Sequence, residues 1–143
     1  MINAAHDIEN PSHTKKYQAL PDEQYMSQRQ LRYFESLLES WSTYLKTGAS
    51  KTVSDMKAQE EQHADVLDQA VEEEKFCLEM RTREREAKLL AKIEKSMRMI
   101  RSNNGDYGYC KECAIEIGIQ RLQARPTAEL CVDCKGLMEI KER

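Results

Sequence analysis

Two C-x-x-C pairs, Cys110/Cys113 and Cys131/Cys134, constrain this chain more than any other feature; residues 114–130, 17 in all, lie between them. Two thiolates three residues apart on a tight turn reach one metal ion together. A second such turn completes a tetrahedron with metal–sulfur distances of about 2.3 Å. Four sulfurs leave no open coordination position, so the metal is expected to be structural rather than catalytic. A disulfide pair and a rubredoxin-type iron site compete for the same cysteines, and the spacing favours a single zinc over both. Gly108 and Gly118 are expected to supply turn freedom near the first pair.

The rest of the chain is too polar for one ordinary globule. Of its 143 residues, 33% are charged and 6% aromatic, and the mean hydropathy is −0.77. A long solvated helical arm joined to a small metal-stapled module fits these values better than a single compact core. The first 30 residues hold no apolar signal region. No run approaches the roughly 20 apolar residues that span a bilayer. Thiolates kept for metal imply a reducing compartment, so a cytoplasmic protein is expected, without a membrane partner. The net charge is −3 and the isoelectric point about 5.7. From Tyr107 onward basic and acidic side chains number six each, and four thiolates on zinc add negative charge. A direct, sequence-specific DNA reader needs a basic surface that this chain lacks.

Residues 1–26 read as a polar tail, with Pro11 and Pro21 breaking any helix and the stretch Leu20–Tyr25 able to pack on the metal module. Residues 27–102 read as an antiparallel coiled coil. Leu31, Phe34, Leu38, Trp41 and Leu45 recur at alternating spacings of three and four, a coiled-coil seam. Ser27 is placed to cap this first helix with Gln30 three residues on, and Gly48 is a soft point in it. The helix is expected to reach about Gln62, with the turn at 63–69. The second helix should run from about Asp68 to Arg101, with Val71, Leu78, Leu89, Ile93, Met97 and Ile100 as its apolar side and Asn103-Asn104-Gly105 as its stop. Residues 103–143 read as the four-cysteine module, closed by a short helix over Cys134–Lys141 packed beside the coil base through Leu137, Met138 and Ile140. The fold class is therefore mainly α: a long antiparallel coiled-coil hairpin projecting from a small globular base with a four-cysteine zinc finger and a short C-terminal helix.

No residue set in the chain makes a catalytic constellation, and no enzyme is expected. Asp65 and Asp68, at the tip, serve as helix caps or as carboxylates offered to a partner's Mg²⁺ or basic groups. Arg81, Arg85, Lys88 and Lys92 share one helical face, either a solvated stripe balanced by Glu79, Glu84 and Glu86 or a docking surface for an acidic partner. Cys77, beside Phe76 and Leu78, reads as a small buried residue of the seam. The histidines, His6, His13 and His63, lie outside the metal pattern.

The stretch Y-G-Y-C-K-E-C-A-I-E-I-G-I-Q-R-L-Q-A-R-P-T-A-E-L-C-V-D-C-K at 107–135, K-I-E-K at 92–95 and D-x-x-D-x-A at the turn resemble the zinc-finger DksA/TraR family of bacterial transcription factors, over residues 20–141. The resemblance implies a monomeric regulator that binds RNA polymerase rather than DNA and inserts its coiled coil into the secondary channel. It destabilises open complexes, repressing stable-RNA promoters and activating some others, with ppGpp as effector at the polymerase interface. Carried over by residue, it places Asp65, Asp68 and Ala70 at the tip near the polymerase active site, Arg85 on the polymerase-contacting coil, and Leu89, Lys92, Arg125 and Lys135 at the ppGpp site. A transcript-cleavage factor that works through the same channel is an alternative, as is a zinc ribbon that binds nucleic acid or senses redox state. The family tip often reads D-P-V-D-R-A where this chain has D-V-L-D-Q-A, and the linker at 102–106 is about two residues longer. Both departures are expected to tune the strength of regulation.

Overall fold

The computed structural model describes residues 16–59, 66–102 and 104–142, and side chains outside 49–69. Four helices follow in order: α1 (Gln28–Gln59), α2 (Val66–Ser102), α3 (Ile119–Ala124) and α4 (Val132–Lys141). Among the described residues, extended pairing is confined to the isolated antiparallel bridge between Tyr109 and Glu116.

Ser27 does begin α1. Its Oγ accepts the Gln30 N–H at 3.3 Å, and Gln30 Oε1 accepts the N–H of Met26 at 2.7 Å. This is a capping box displaced by one residue, because Met26 turns into the left-handed region at φ 51° and presents its own N–H. α1 then runs through Gly48 to Gln59; residues 60–62, where the helix was expected to finish, lie outside the described residues. α2 is already helical at Val66, inside the segment 63–69 read above as the turn. Asp68 thus falls in the first turn of α2 rather than before it.

The two long helices are antiparallel. Arg101, near the end of α2, donates to Glu35 and Glu39 near the start of α1 at 2.7 and 2.6 Å, and Lys46 faces Glu94 at 3.4 Å. Residue numbers rise along one helix as they fall along the other. With 32 and 37 residues, the helices extend about 48 and 55 Å at 1.5 Å per residue.

The seam is the expected one at the base and not beyond it. Phe34, Leu38, Trp41 and Leu45 are buried and Leu31 is partly buried; on α2, Ile93 and Ile100 are buried and Leu89 and Met97 pack against them. Leu37, Gln30 and Ser42 are buried as well. This stripe is too wide for a two-helix seam. Its cause is a third layer: Tyr107, Cys110, Ile117 and Leu122 of the cysteine module join the same core. Farther out the reading fails. Val71 and Leu78 are exposed, and so is Cys77, which is not a seam residue. They lie on the part of α2 away from the shared core.

Two further expectations are corrected. The last helix starts at Val132 rather than Cys134, and none of its residues is buried. Leu137 is 60% and Ile140 71% exposed, with Met138 exposed too, so this helix does not pack on the coil base through them. Cys131 caps it, so the second cysteine pair orients the helix from its N-terminus and leaves the remainder to solvent. Gly118 has an ordinary φ of −52° as the N-cap of α3. The left-handed turns fall instead at Gly105, Gly108 and Ala114.

The segment before α1 is strapped to the base. Tyr25 Oη lies 2.6 Å from the Gly108 carbonyl and 2.5 Å from that of Ile117. Gln123 donates to the Tyr17 carbonyl at 2.8 Å, and the Tyr17 ring leans on Tyr33. Leu20, within this stretch, stays exposed. Among the described residues no helix is long and apolar enough to cross a membrane.

Candidate metal centre and its junction with the coil

The first cysteine pair sits in a tight hairpin. The Ile117 N–H bonds to the Gly108 carbonyl at 2.7 Å, the Cys110 N–H to Ile115 at 2.9 Å, and the Ala114 N–H back to Cys110 at 2.9 Å. Only a left-handed residue closes the loop at 114, and Ala114 takes that role at φ 57°. The second pair is the opening turn of α4. Cys131 is its N-cap, and the Cys134 N–H points at the Cys131 sulfur at 3.4 Å. Between the pairs, Tyr107 donates to the Pro126 carbonyl at 2.8 Å and Arg121 Nε to the Leu130 carbonyl at 3.1 Å. Burial pushes the Tyr107 phenol well above its ordinary range, so it acts as a permanent donor.

These turns bring all four sulfurs within 4.8 Å of one another, with Cys113 and Cys131 3.8 Å apart. A tetrahedron with metal–sulfur bonds of about 2.3 Å has edges of about 3.8 Å, so the donor set fits a thiolate zinc centre. The acid–base chemistry agrees. Backbone N–H donors, that of Cys131 foremost, draw the Cys110 thiol down to about 6. Sulfur contacts with Cys131 and then Cys113 push Cys134 the other way. Four thiolates this close cannot all ionise without a cation among them.

Beside the shared core, one carboxylate ties the module to the coil. Glu129 accepts from Lys95 of α2 at 2.7 Å and from Lys111 of the first hairpin at 2.6 Å. The two lysines hold the Glu129 carboxyl below its usual range against the opposing effect of partial burial. Neither partner assignment was legible in the sequence. K-I-E-K at 92–95 stood out as a motif, but nothing local pairs Lys95 with a residue 34 positions away.

Of the residues singled out from sequence, Asp65 and the Asp68 side chain lie outside the described residues, and Ala70 is exposed on α2. Arg81, Arg85, Lys88 and Lys92 are all exposed, and Lys88 is paired with Glu84 at 2.7 Å. Leu89 is half-buried against the core. Arg125 is exposed at the C-cap of α3, and Lys135 faces Glu139 at 3.4 Å on α4. The Lys95–Glu129 pair draws together the α2 turn carrying Lys92 and the connection carrying Arg125. Tyr25, at the end of the stretch read above as able to pack on the metal module, ties the N-terminal strap to the first hairpin; its individual partners, more than 80 residues away, had no signal in the sequence.

Comparison with known proteins identifies the lineage. Residues 30–100 match the DnaK suppressor protein DksA N-terminal domain, and residues 105–139 match the prokaryotic dksA/traR C4-type zinc finger. The chain belongs to the DksA/TraR zinc-finger family. It is 46% identical over 127 residues to the RNA polymerase-binding transcription factor DksA of Escherichia coli (strain K12), covering 89% of this chain and 83% of that one. The DksA of Haemophilus influenzae is 45% identical over 129 residues, covering 90% and 88%. Among solved structures, the transcription factor DksA2 from Pseudomonas aeruginosa superposes with a TM-score of 0.76 at 35% identity, over 86% of this chain and 93% of that one. The DksA relatives are named as transcription factors, not enzymes. The arm-and-base fold and the C4 cluster of this chain are those of the family.

Proposed function

We propose that this chain binds RNA polymerase and regulates transcription initiation from within the secondary channel, without catalytic activity of its own. The observation that carries the reading is the shape: two antiparallel helices about 50 Å long, projecting from a base whose core is shared with a four-cysteine module. Relatives of nearly the same extent are named for polymerase binding. The arm enters the channel with Asp65, Asp68 and Ala70 at its tip, and Arg85 contacts the channel wall. The sulfurs of Cys110, Cys113, Cys131 and Cys134 hold one structural zinc. When bound, the zinc supplies a fixed tetrahedral link between the hairpin and the start of α4, and no chemistry at substrate.

We further propose that ppGpp binds between the base and polymerase, against Leu89, Lys92, Arg125 and Lys135, and deepens the destabilisation of open complexes. The Lys95–Glu129 pair supports this, since it joins α2 one turn from Lys92 to the module segment that carries Arg125, and a doubly pyrophosphorylated nucleotide requires cations from several segments. The test is transcription in vitro from a ribosomal RNA promoter with purified polymerase, with and without ppGpp. Inhibition that deepens with ppGpp is expected. No effect from folded, zinc-loaded protein would defeat the reading.

A further inference from the structure

The zinc module could be attached to the coil by core packing alone, yet the structure places one carboxylate where three segments meet. Glu129 stands two residues before Cys131. Its carbonyl accepts the Lys111 backbone N–H at 3.0 Å, and its Oε2 accepts the Lys111 ammonium at 2.6 Å. Lys111 follows Cys110 directly, so this double link joins the turn inside the first cysteine pair to the approach to the second. The remaining oxygen, Oε1, takes Lys95 of α2 at 2.7 Å. The Glu129 side chain is two-thirds covered, at 32% exposed. Both oxygens are therefore committed, one to the module and one to the arm.

We propose that Glu129 is the positioning residue that sets the seat of the zinc module on α2, and so the spacing between Lys92 on the arm and Arg125 and Lys135 on the module. A hydrophobic contact fixes separation but slides easily, because burial is non-directional. A carboxylate held by one cation on each body defines a register, because charge-assisted hydrogen bonds are short and directional. Lys95 lies one helical turn beyond Lys92, and Glu129 lies between Arg125 and Lys135 in the chain. Loss of this clamp therefore misaligns the effector-side cations without removing any of them. The functional consequence rests on the ppGpp reading above; the clamp itself does not.

The experiment uses the full, zinc-loaded chain with spin labels on the exposed native Cys77 and on Leu137→Cys, an exposed position of α4. Zinc content is measured after labelling. The label–label distance distribution is recorded for the parent and for Glu129→Gln. Lys95→Gln cuts the same pair from the coil side without touching the module. The double Lys95→Glu/Glu129→Lys reverses the pair. Both single variants are expected to broaden the distribution, and the reversed pair to narrow it again. ppGpp-dependent deepening of promoter inhibition is expected to fall about fivefold or more in the single variants and to recover in the reversed pair. A Lys95→Gln distribution as narrow as the parent's would overturn the clamp. A broadened distribution with an undiminished ppGpp response would overturn its role in positioning. If the parent shows no ppGpp response, the proposed function fails, and the distance distributions still decide the clamp.

Discussion

At the scale of single residues, two positions decide how the strap before α1 holds the base. Gly108 sits at φ +92°, and a Cβ there would stand 2.7 Å from Met26 Cε and 2.9 Å from Tyr25 Oη. Gly108→Ala is expected to cost about 1–3 kcal/mol through backbone strain and overpacking, read as a lower midpoint in denaturant for the zinc-loaded protein. Glu23 is the second. It accepts from Ser27 Oγ at 2.6 Å and from Tyr17 Oη at 2.5 Å, and from the Leu20 N–H at 3.2 Å. The Ser27 bond first and the Tyr17 bond second draw its carboxyl down to about 2 from 4.5. A folded-state value below the unfolded one means that its contribution is fully present above about pH 4.5 and is lost as pH falls toward 2. Glu23→Gln should remove this strap-specific acid sensitivity. The check is hydrogen exchange or proteolysis in residues 16–27 as pH is lowered.

At the scale of elements, the shared core changes what zinc removal should do. A coil that stood alone would keep its helix when the module unfolds. Here Phe34, Leu38 and Trp41 of α1 and Ile93 of α2 bury themselves in the same cluster as Ile117 and Leu122 of the module. The described part of α2 nearer the tip has no buried apolar residue of its own, and Val71, Phe76, Leu78 and Met80 are exposed. Chelation, or Cys131→Ser, should therefore remove more helical circular dichroism than the 6 and 10 residues of α3 and α4 account for. Loss of only that fraction would show that the coil folds independently. The near-ultraviolet signal of Trp41, 4% exposed, should collapse in the same transition.

At the scale of the whole molecule, the proposed function divides two jobs between the ends of the arm. On the proposed reading, the base and the adjoining coil hold the zinc site and the effector-side cations, and the tip acids act far from them. Asp68→Asn changes charge near the tip and leaves the base intact. It should preserve affinity for polymerase and abolish the effect on transcription; a parallel fall in affinity would make the tip an anchor instead. Lys135→Ala should remove the ppGpp enhancement and spare the effector-free inhibition, since, among the described residues, the Lys135 ammonium pairs with Glu139 at i,i+4, a contact of about 0.3–0.5 kcal/mol. An unchanged ppGpp response would take Lys135 out of the effector site.

The zinc cluster and the two long helices were legible in the sequence because each rests on local spacing, and the family through the resemblance of contiguous motifs at 92–95 and 107–135. A C-x-x-C pair is three residues, a seam repeats every seven, and a capping box spans four. Phe34, Leu38, Trp41 and Leu45 could be placed in the core from periodicity alone, and the four sulfurs from chemistry alone. Only the tertiary structure decided which parts of those patterns have partners. Periodicity placed Val71 and Leu78 in the seam, but periodicity marks a helical face and not whether that face is covered, and the structure leaves both exposed. Periodicity did not anticipate Leu37, because a two-helix seam does not bury that position and a third layer does. The last helix was expected to lie on the coil, but its direction is set by Cys131 at its N-terminus. The clamp at Glu129 and the strap at Tyr25 join residues 34 to 92 positions apart. Contacts of that separation leave no periodic trace in a single sequence, because their partners meet only when the chain has folded.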